Sequence, residues 1–411
     1  VGFEFAPDGL SFHHDMGGII IELKKTGIAY EGVGKKIGKT LSAPVIVNAT
    51  KDGQNDGLHI SLEEAQQAWE KPLEKVYSQA PSGGLVNEIE GHTKRWDPKR
   101  TPILFDPDGR IVSGGEAPVQ VNLLTKKPKV VIPVFPGTNS ELDTKHALHK
   151  SGFTDVEIFV FQTKTPTELT ESFARFAKLV WEAQMIVLPG GFSGADEPGG
   201  SAKFANTIFR STKVRDAMNA FLQKPNTLTL GICNGFQMLM KLGVFEKWEI
   251  SDFQTETDMT LAHNTNGRHV TDLVGLKVTS VLSPFFNTID IGDTFIVPIS
   301  HGEGRIVFHD EAQFLSLLAK WQIVLQYLDA DGKPTNTHNG SAHGVAGICS
   351  PDGRILGLMP HPERSGLGVF KNVPGNKHLG LFDGAAEALS VKPKYKRTAE
   401  GVFIGEESVV S

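Results

Sequence analysis

The stretch TLTLGICNGFQMLMKLG, residues 227–243, joins an apolar β-like run to a helical pattern, with one cysteine at the corner. Cys233 stands between Gly231 and Gly235 in the spacing Gly-x-Cys-x-Gly. This is the spacing of a nucleophile elbow, in which the glycines permit a tight strand-to-helix turn that presents the central side chain at a sheet edge. The N-terminus of the following helix would favour a thiolate and offer N–H groups to an anion. We therefore expect a nucleophile here, although a buried cysteine acting as a small hydrophobe is the simpler interpretation.

The alternation of strand and helix continues on the N-terminal side of this corner, in KVVIPVF, DVEIFVF and MIVLPG with helical patterns between them. One such helix, in NSELDTKHALHKSG, is predicted to have Asn139 as its N-cap. Because the strands read as continuous apolar runs, we expect them to be buried on both faces of a parallel sheet. The sequence thus predicts a doubly wound α/β domain with a mainly parallel sheet. Strand-rich text after residue 250 predicts antiparallel additions to that sheet.

The first 127 residues have a different sequence pattern. Residues 1–60 mix short β-like runs with glycine turns, and SLEEAQQAWEKPLEKVYS predicts a helix with a Ser61–Glu64 capping box and a kink at Pro72. From about residue 79 the text is rich in proline, glycine and charge, which is typical of a linker. We expect three parts: 1–60, a helix and linker at 61–127, and the α/β domain at 128–411.

Composition excludes several classes of function. The formal charge of −6 is spread over 411 residues without a basic stripe, so neither a nucleic-acid nor a membrane partner is expected. Only two cysteines occur, which excludes a disulfide framework and favours a cytoplasmic location; Cys349 is expected to be a buried strand residue. No apolar run is long enough to span a membrane, and no cluster has metal-ligand spacing. Small neutral or anionic metabolites are the expected ligands.

A thiol nucleophile needs a base, and the segment LGLMPHPERSG supplies the strongest candidate. His361 and Glu363 stand two apart, and Pro360 and Pro362 keep the backbone out of a helix, so both side chains can lie on one side of an extended segment. Alone, this pattern is more typical of a surface turn. Together with the elbow it predicts a base with its orienting carboxylate.

Two further glycine-rich stretches are candidates for the same site. LPGGFSGADEPGG, residues 188–200, would offer the N–H groups of Gly191 and Phe192 to an oxyanion, with a flexible loop as the alternative. It has neither the dinucleotide nor the P-loop spacing. ISHGEGRIVF, residues 299–308, reads by itself as a hairpin with charged tips.

The combination of GICNGFQ, GGFSG and MPHPER resembles the class I, triad-type glutamine amidotransferases with a flavodoxin-like fold. From about 128 to 390 the sequence is similar to the glutaminase domain of large single-chain phosphoribosylformylglycinamidine synthases. The stretches that carry this similarity are PVFPGTNSELDT, VLPGGFSGADEPGGSAKF, SHGEGR and NGSAHGVAGICSPDGRILGLMPHPER. Residues 1–60 resemble the tail of an α+β synthetase lobe related to aminoimidazole ribonucleotide synthetase.

The resemblance implies that Cys233 attacks the side-chain amide of glutamine, that His361 moves protons, and that Glu363 orients His361. A γ-glutamyl thioester and ammonia form, and water then releases glutamate. The resemblance also implies oxyanion N–H groups from Gly191 and Asn234, and substrate contacts from Gln237, His301, Asn264 and Arg268. The text LAHNTNGRHV departs from the usual wording of these enzymes around Arg268.

The resemblance further implies a ligase of purine biosynthesis, in which ammonia is channelled to a synthetase lobe that amidates formylglycinamide ribonucleotide. ATP and Mg would belong to that lobe, with no cofactor and no metal in this chain. Three alternatives remain open: another amidotransferase pathway, a cysteine hydrolase of the γ-glutamyl hydrolase type, and a non-catalytic docking module.

Overall fold

The computed structural model describes residues 2–5, 38–41, 43, 45–48, 59–70, 127–193, 202–366, 368–393, 395–397 and 403–405. The chain divides into two compact units, residues 1–79 and 80–411.

The first unit holds a small sheet and one helix. Its strands, in the order β2-β1-β3-β4, are β1 Gly2–Phe5, β2 Gly38–Leu41, β3 Val45–Asn48 and β4 His59–Ser61. Helix α1, Leu62–Glu70, begins with the predicted capping box: Ser61 Oγ accepts from the Glu64 N–H at 3.1 Å, and the Ser61 N–H donates to Glu64 Oε2 at 2.9 Å. Pro72 and nearly all of the predicted linker lie outside the described residues, and the division at 60 and 127 stays a prediction.

The second unit is built on a nine-stranded sheet of order β11-β10-β13-β14-β15-β8-β7-β5-β6. Its strands are β5 Lys129–Val134, β6 Asp155–Val160, β7 Met185–Leu188, β8 Leu228–Ile232, β10 Val270–Val278, β11 Thr294–His301, β13 Ile323–Leu328, β14 Val345–Cys349 and β15 Ile355–Leu358. Strands β9, Thr260–Ala262, and β12, Arg305–Val307, form a separate ribbon, and so do β16, Tyr395–Arg397, and β17, Phe403–Gly405.

Helices connect these strands. They are α2 Glu141–Lys150, α3 Pro166–Glu182, α4 Lys203–Phe209, α5 Thr212–Gln223, α6 Asn234–Leu242, α7 Val244–Lys247, α8 Glu311–Ala319 and α9 Leu381–Ala388. Short 3₁₀ turns occur at Pro284–Phe286, Ala342–Gly344 and Pro362–Arg364.

The predicted doubly wound fold is confirmed. Strands β6, β5, β7, β8 and β15 are mutually parallel, and in chain order they stand 2-1-3-4-5, which is the flavodoxin-like arrangement. Every residue of β7, β8 and β15 is buried, as continuous apolar runs predict for strands covered on both faces. The antiparallel additions are β14, β13, β10 and β11.

One helix start differs from the prediction. Helix α2 has Ser140 rather than Asn139 at its N-cap. The physical reason is a tertiary contact, because the N–H groups of Asn139 and Ser140 both donate to the carbonyl of Gly190, at 3.3 and 3.2 Å. These bonds hold Asn139 in the loop after β5, at the carboxyl edge of the sheet.

Candidate active site

Cys233 occupies a strained corner between β8 and α6. Its backbone angles are φ 51° and ψ −106°, an uncommon conformation for a residue with a side chain. The flanking glycines permit this turn by close approach: a Cβ atom at Gly235 would lie 2.0 Å from the carbonyl oxygen of Leu188, and one at Gly231 would lie 2.7 Å from that of Gly235. The predicted elbow geometry is therefore present.

Strand pairing brings the distant histidine to this corner. Strand β15 lies beside β8 in parallel, and the Cys233 N–H donates to the carbonyl of Leu358 at 2.8 Å. Because the carboxyl ends of parallel strands share one sheet edge, the residues that follow the two strands, Cys233 and His361, lie at the same edge. The His361 N–H donates to the carbonyl of Pro298 at 2.8 Å, which fixes the turn in place.

His361 and Glu363 form a buried pair. Nδ1 of His361 lies 2.6 Å from Oε1 of Glu363, and the two side chains are 1% and 0% exposed. Since a carboxylate accepts, Nδ1 carries the proton in this pair, and Nε2 has no hydrogen-bond partner among the described residues. Burial would lower the pKa of His361, but the charges of Glu363 and Cys233 outweigh burial and raise the pKa to about 10.

The thiol of Cys233 is nearly covered. The residue is 5% exposed, and Sγ lies 3.6 Å from the carbonyl oxygen of Ser300, at the end of β11. The hydroxyl of Ser300 lies 3.0 Å from Nε2 of His269, whose ring centroid is 6.1 Å from that of Phe192. Burial and His361 lower the pKa of His269. Ser300 and His269 are not predicted from the sequence, because neither lies in a local motif that indicates a role.

The glycine-rich loop after β7 leaves one of its two predicted N–H groups available to an oxyanion. The Phe192 N–H donates to the carbonyl of Gly137 at 2.8 Å, so the expectation that Phe192 serves an oxyanion is wrong for this conformation. Thr138 and Gly191 form an isolated β-bridge, whose hydrogen bonds are made by the residues on either side of Gly191. The N–H of Gly191 itself has no acceptor among the described residues. Gly191 thus keeps its predicted role as a prediction.

Asn234 and Gln237 connect helix α6 to two loops of the site. Asn234 is the first residue of α6, where backbone N–H groups lack partners within the helix. Its side chain accepts from the Ser193 N–H at 3.2 Å and donates to Gln237 Oε1 at 2.9 Å. Gln237 in turn donates through Nε2 to the carbonyl of Glu303 at 2.7 Å. The Gln237 amide is therefore engaged within the protein, and its predicted contact with substrate stays a prediction.

The HGEGR loop is buried rather than a charged hairpin tip. Glu303 and Arg305 are 6% and 4% exposed, which corrects the simpler interpretation of this stretch. Asn264 organises the loop: its Oδ1 accepts from the Gly304 N–H at 3.1 Å, and its Nδ2 donates to the carbonyls of His301 and Arg268 at 2.8 and 2.9 Å. The predicted residues His301, Asn264 and Arg268 are thus brought together, Arg268 through its backbone.

His301 is held as a neutral imidazole. Its Nδ1 lies 3.2 Å from Oδ1 of Asn264, an acceptor, so Nδ1 carries the proton and Nε2 is a hydrogen-bond acceptor. Nε2 is buried and has no partner among the described residues. Burial, and then the neighbouring His361, lower the pKa of His301 to about 3. The ring therefore offers a lone pair and not a charge.

The family of the chain follows from its similarity to known proteins. Residues 127–387 match the family model described as the CobB/CobQ-like glutamine amidotransferase domain, close to the 128–390 expected from the sequence. The chain belongs to the glutamine amidotransferases. It is 37% identical over 243 residues to phosphoribosylformylglycinamidine synthase subunit PurQ of Methanococcus maripaludis, covering 58% of this chain and 82% of the relative.

Two further known proteins are similar to the chain. Phosphoribosylformylglycinamidine synthase of Drosophila melanogaster is 30% identical over 350 residues, which are 83% of this chain and 24% of that protein. A chain in the structure of PurLQS from Thermotoga maritima is 27% identical, with a TM-score of 0.45, over 63% of this chain and 97% of that one. This chain thus matches about a quarter of the Drosophila protein.

Within the part of the chain that the structure describes, no group of three or more His, Cys, Asp or Glu side chains is placed to hold a metal ion. No helix in the same residues is long and apolar enough to cross a membrane. Cys349 lies within β14 and is 0% exposed, and burial, with a smaller effect of Asp352, raises its pKa.

Proposed function

We propose that this chain is the glutaminase part of a phosphoribosylformylglycinamidine synthase, hydrolysing glutamine to glutamate and ammonia. The observation that carries the proposal is a thiol on a strained elbow that interacts with a histidine whose Nδ1 is held by a buried carboxylate, which leaves Nε2 to the thiol. This is the arrangement of an activated nucleophile with an oriented base. The names of the relatives support the pathway in which the ammonia is used, and the geometry of the site supports the hydrolysis of glutamine.

The reaction follows from the arrangement of Cys233, His361 and Glu363. His361, whose pKa is raised, takes the proton of the Cys233 thiol on Nε2, and Glu363 stabilises the imidazolium that forms. Sγ attacks the amide carbon of glutamine, and the tetrahedral intermediate collapses as Nε2 protonates the leaving nitrogen. Ammonia departs and a γ-glutamyl thioester remains. His361 then takes a proton from water, which attacks the thioester, releases glutamate and regenerates the thiolate.

The remaining predicted residues divide between charge stabilisation, substrate binding and support of the loop that binds substrate. The N–H groups of Gly191 and Asn234 would donate to the oxygen that becomes negative in the intermediate. His301 Nε2, as an acceptor, would take a hydrogen bond from an N–H group of glutamine, which satisfies a buried atom that otherwise has no partner. Gln237, Asn264 and Arg268 support the loop that carries His301.

The ammonia is consumed elsewhere. Within the proposal, a synthetase part uses ATP and Mg to amidate formylglycinamide ribonucleotide with the ammonia that this chain releases, and the reaction takes place in the cytoplasm. This chain contributes the glutamine site and the thioester chemistry.

The test is glutamate release from glutamine by the 411-residue chain, compared with Cys233→Ala. A second measurement is mass spectrometry after treatment with the glutamine-analogue alkylator diazo-oxo-norleucine. One adduct on Cys233, with turnover lost in Cys233→Ala, is the expected result. An adduct without turnover would also support the nucleophile and would show that turnover needs the synthetase part; turnover should then return when that part is added.

The competing function is a non-catalytic docking module with an amidotransferase fold. It predicts neither adduct nor turnover in a folded sample, with or without the synthetase part. That result would overturn the proposed reaction.

A further inference from the structure

The residue immediately after the triad carboxylate, Arg364, connects the triad turn to the loop between β5 and α2. Its Nη2 donates to Ser140 Oγ and, at 3.3 Å, to Asn139 Oδ1. Its Nε lies 3.6 Å from Glu363 Oε1 and 3.9 Å from Asp143 Oδ2. The side chain is 32% exposed, so the guanidinium joins the buried triad to the protein surface.

The loop that Arg364 contacts supports the ring of His361. The N–H groups of Asn139 and Ser140 both donate to the carbonyl of Gly190. Gly190 packs against the imidazole, since a Cβ atom there would lie 2.7 Å from Cε1 of His361 and 3.1 Å from Ser140 Oγ. Contacts therefore run from Arg364 to Ser140, from Ser140 to Gly190 and from Gly190 to the ring of His361. His361 is bonded to Glu363, which in turn contacts Arg364.

The guanidinium of Arg364 also places a positive charge next to the His361–Glu363 pair. Glu363 Oε1 accepts from His361 Nδ1 at 2.6 Å and faces Arg364 Nε at 3.6 Å, so one oxygen interacts with two cations when His361 is protonated. A nearby cation disfavours protonation of its neighbours, so Arg364 opposes the effect of Glu363 on His361.

Other titratable groups surround the His361–Glu363 pair, and none of those that the structure describes is bonded to Glu363. Cys233, His269 and His301 interact with His361. On the other side, helix α2 contributes Asp143, His146 and Lys150, and the start of α9 contributes the pair of His378 and Asp383, 2.6 Å apart. Arg364 is the cation whose contact with Glu363 is direct.

We propose that Arg364 is a positioning residue for the glutaminase reaction. It fixes the triad turn against the Asn139–Ser140 loop and limits the charge that Glu363 imposes on His361. The inference rests on the proposed function, because it assigns a role within that reaction. The contacts of Arg364 are with Asn139, Ser140, Asp143 and Glu363, so its effect on the reaction passes through Glu363 and the loop.

The experiment compares Arg364→Met and Arg364→Lys with the unaltered chain. The control is Arg215→Met, which removes a surface arginine paired with Asp252 at 2.5 Å, away from the site. The readouts are kcat, KM and the pH profile of glutamine hydrolysis. The rate of Cys233 alkylation by diazo-oxo-norleucine as a function of pH is measured in parallel, because it reports the pair without turnover.

Arg364→Met should lower kcat about 10-fold, with KM changed less than about threefold, because alignment and not binding is lost. Its pH profile should move upward by about 0.5 unit, since a cation that disfavours protonation is gone. Arg364→Lys should keep the profile in place but recover only part of kcat, because an ammonium cannot bond two acceptors as a planar guanidinium does. Arg215→Met should match the unaltered chain.

A profile that does not move in Arg364→Met, whether kcat falls or not, would overturn the proposal. If that variant does not fold, Ser140→Ala, which removes one end of the same contact, should still lower kcat. Full activity in Ser140→Ala would overturn the positioning role in that case. Failure of the proposed function is distinguishable, because the unaltered chain would then show neither turnover nor alkylation.

Discussion

A Cβ atom on Gly190 would lie 2.7 Å from Cε1 of His361. Side-chain carbons do not approach other heavy atoms so closely, so the imidazole rests on backbone that only glycine leaves uncovered. The same glycine offers its carbonyl to the N–H groups of Asn139 and Ser140. The position of the catalytic base therefore depends on a residue with no side chain.

Gly190→Ala should reduce kcat/KM by roughly 100-fold, because a shift of about 1 Å in a catalytic group has an effect of this order. Steady-state kinetics measures the loss, and thermal unfolding is the control. The added methyl meets a side chain, so the melting temperature should fall little. Gly235→Ala should behave in the opposite way, since its methyl would lie 2.0 Å from a backbone oxygen of Leu188 and should prevent stable folding. Unchanged kinetics in Gly190→Ala would show that the ring has room to move.

Glu363→Gln should reduce kcat by roughly 100- to 1000-fold while keeping the shape of the side chain. The carboxylate raises the pKa of His361, so its neutral replacement should lower that pKa and move the alkaline limb of the pH profile to lower pH. This direction is opposite to that expected for Arg364→Met. A fall in kcat with an unmoved alkaline limb would mean that Glu363 orients the ring without affecting its charge.

The parts of this site that sequence reasoning found are those with a local cause. Gly231 and Gly235 flank a cysteine because the turn there needs them, and Pro360 and Pro362 hold His361 and Glu363 extended. The parallel strands were identified in the same way, because burial on both faces leaves continuous apolar runs.

The parts that it missed depend on contacts between distant segments. Ser300 reaches the thiol because β11 ends beside the elbow, and His269 reaches Ser300 because β10 pairs with β11. Local sequence predicts Phe192 as an oxyanion donor, but it does not reveal that the Phe192 N–H is bonded to the carbonyl of Gly137. It likewise predicts Asn139 as an N-cap, because it does not reveal the Gly190 carbonyl that holds this residue.

The two cysteines should differ sharply in reactivity. Cys233 stands at the sheet edge beside His361, whereas Cys349 is 0% exposed and burial raises its pKa. Iodoacetamide at neutral pH should therefore modify Cys233 alone in the folded chain and both residues after denaturation, as peptide mass spectrometry would reveal. Modification of Cys349 in the folded chain would contradict its assignment as an inert strand residue.

Gln237→Glu should weaken glutamine binding more than it slows the chemical step. The substitution replaces the Nε2 donor with an oxygen that faces the carbonyl of Glu303, so the HGEGR loop loses its bond to α6. KM should rise about 10-fold, the effect expected when one buried hydrogen bond of roughly 1.5 kcal/mol is lost, with a smaller change in kcat. An unchanged KM would show that the loop is held without Gln237.

His301 should make the folded chain sensitive to mild acid. Its pKa is lowered from 6.5 to about 3 by burial, so between these values the unfolded state binds a proton that the folded state does not. Stability from this residue is therefore lost as pH falls below the unfolded value. Between about pH 7.5 and about pH 5 the free energy of unfolding should fall by roughly 2 kcal/mol on its account.

His301→Asn keeps a donor near the Nδ1 position but does not titrate, so urea unfolding should show a smaller fall. His309→Asn, which removes an exposed imidazole, is the matched control. An equal fall in the unaltered chain and in His301→Asn would mean that His301 is not held neutral in the folded protein.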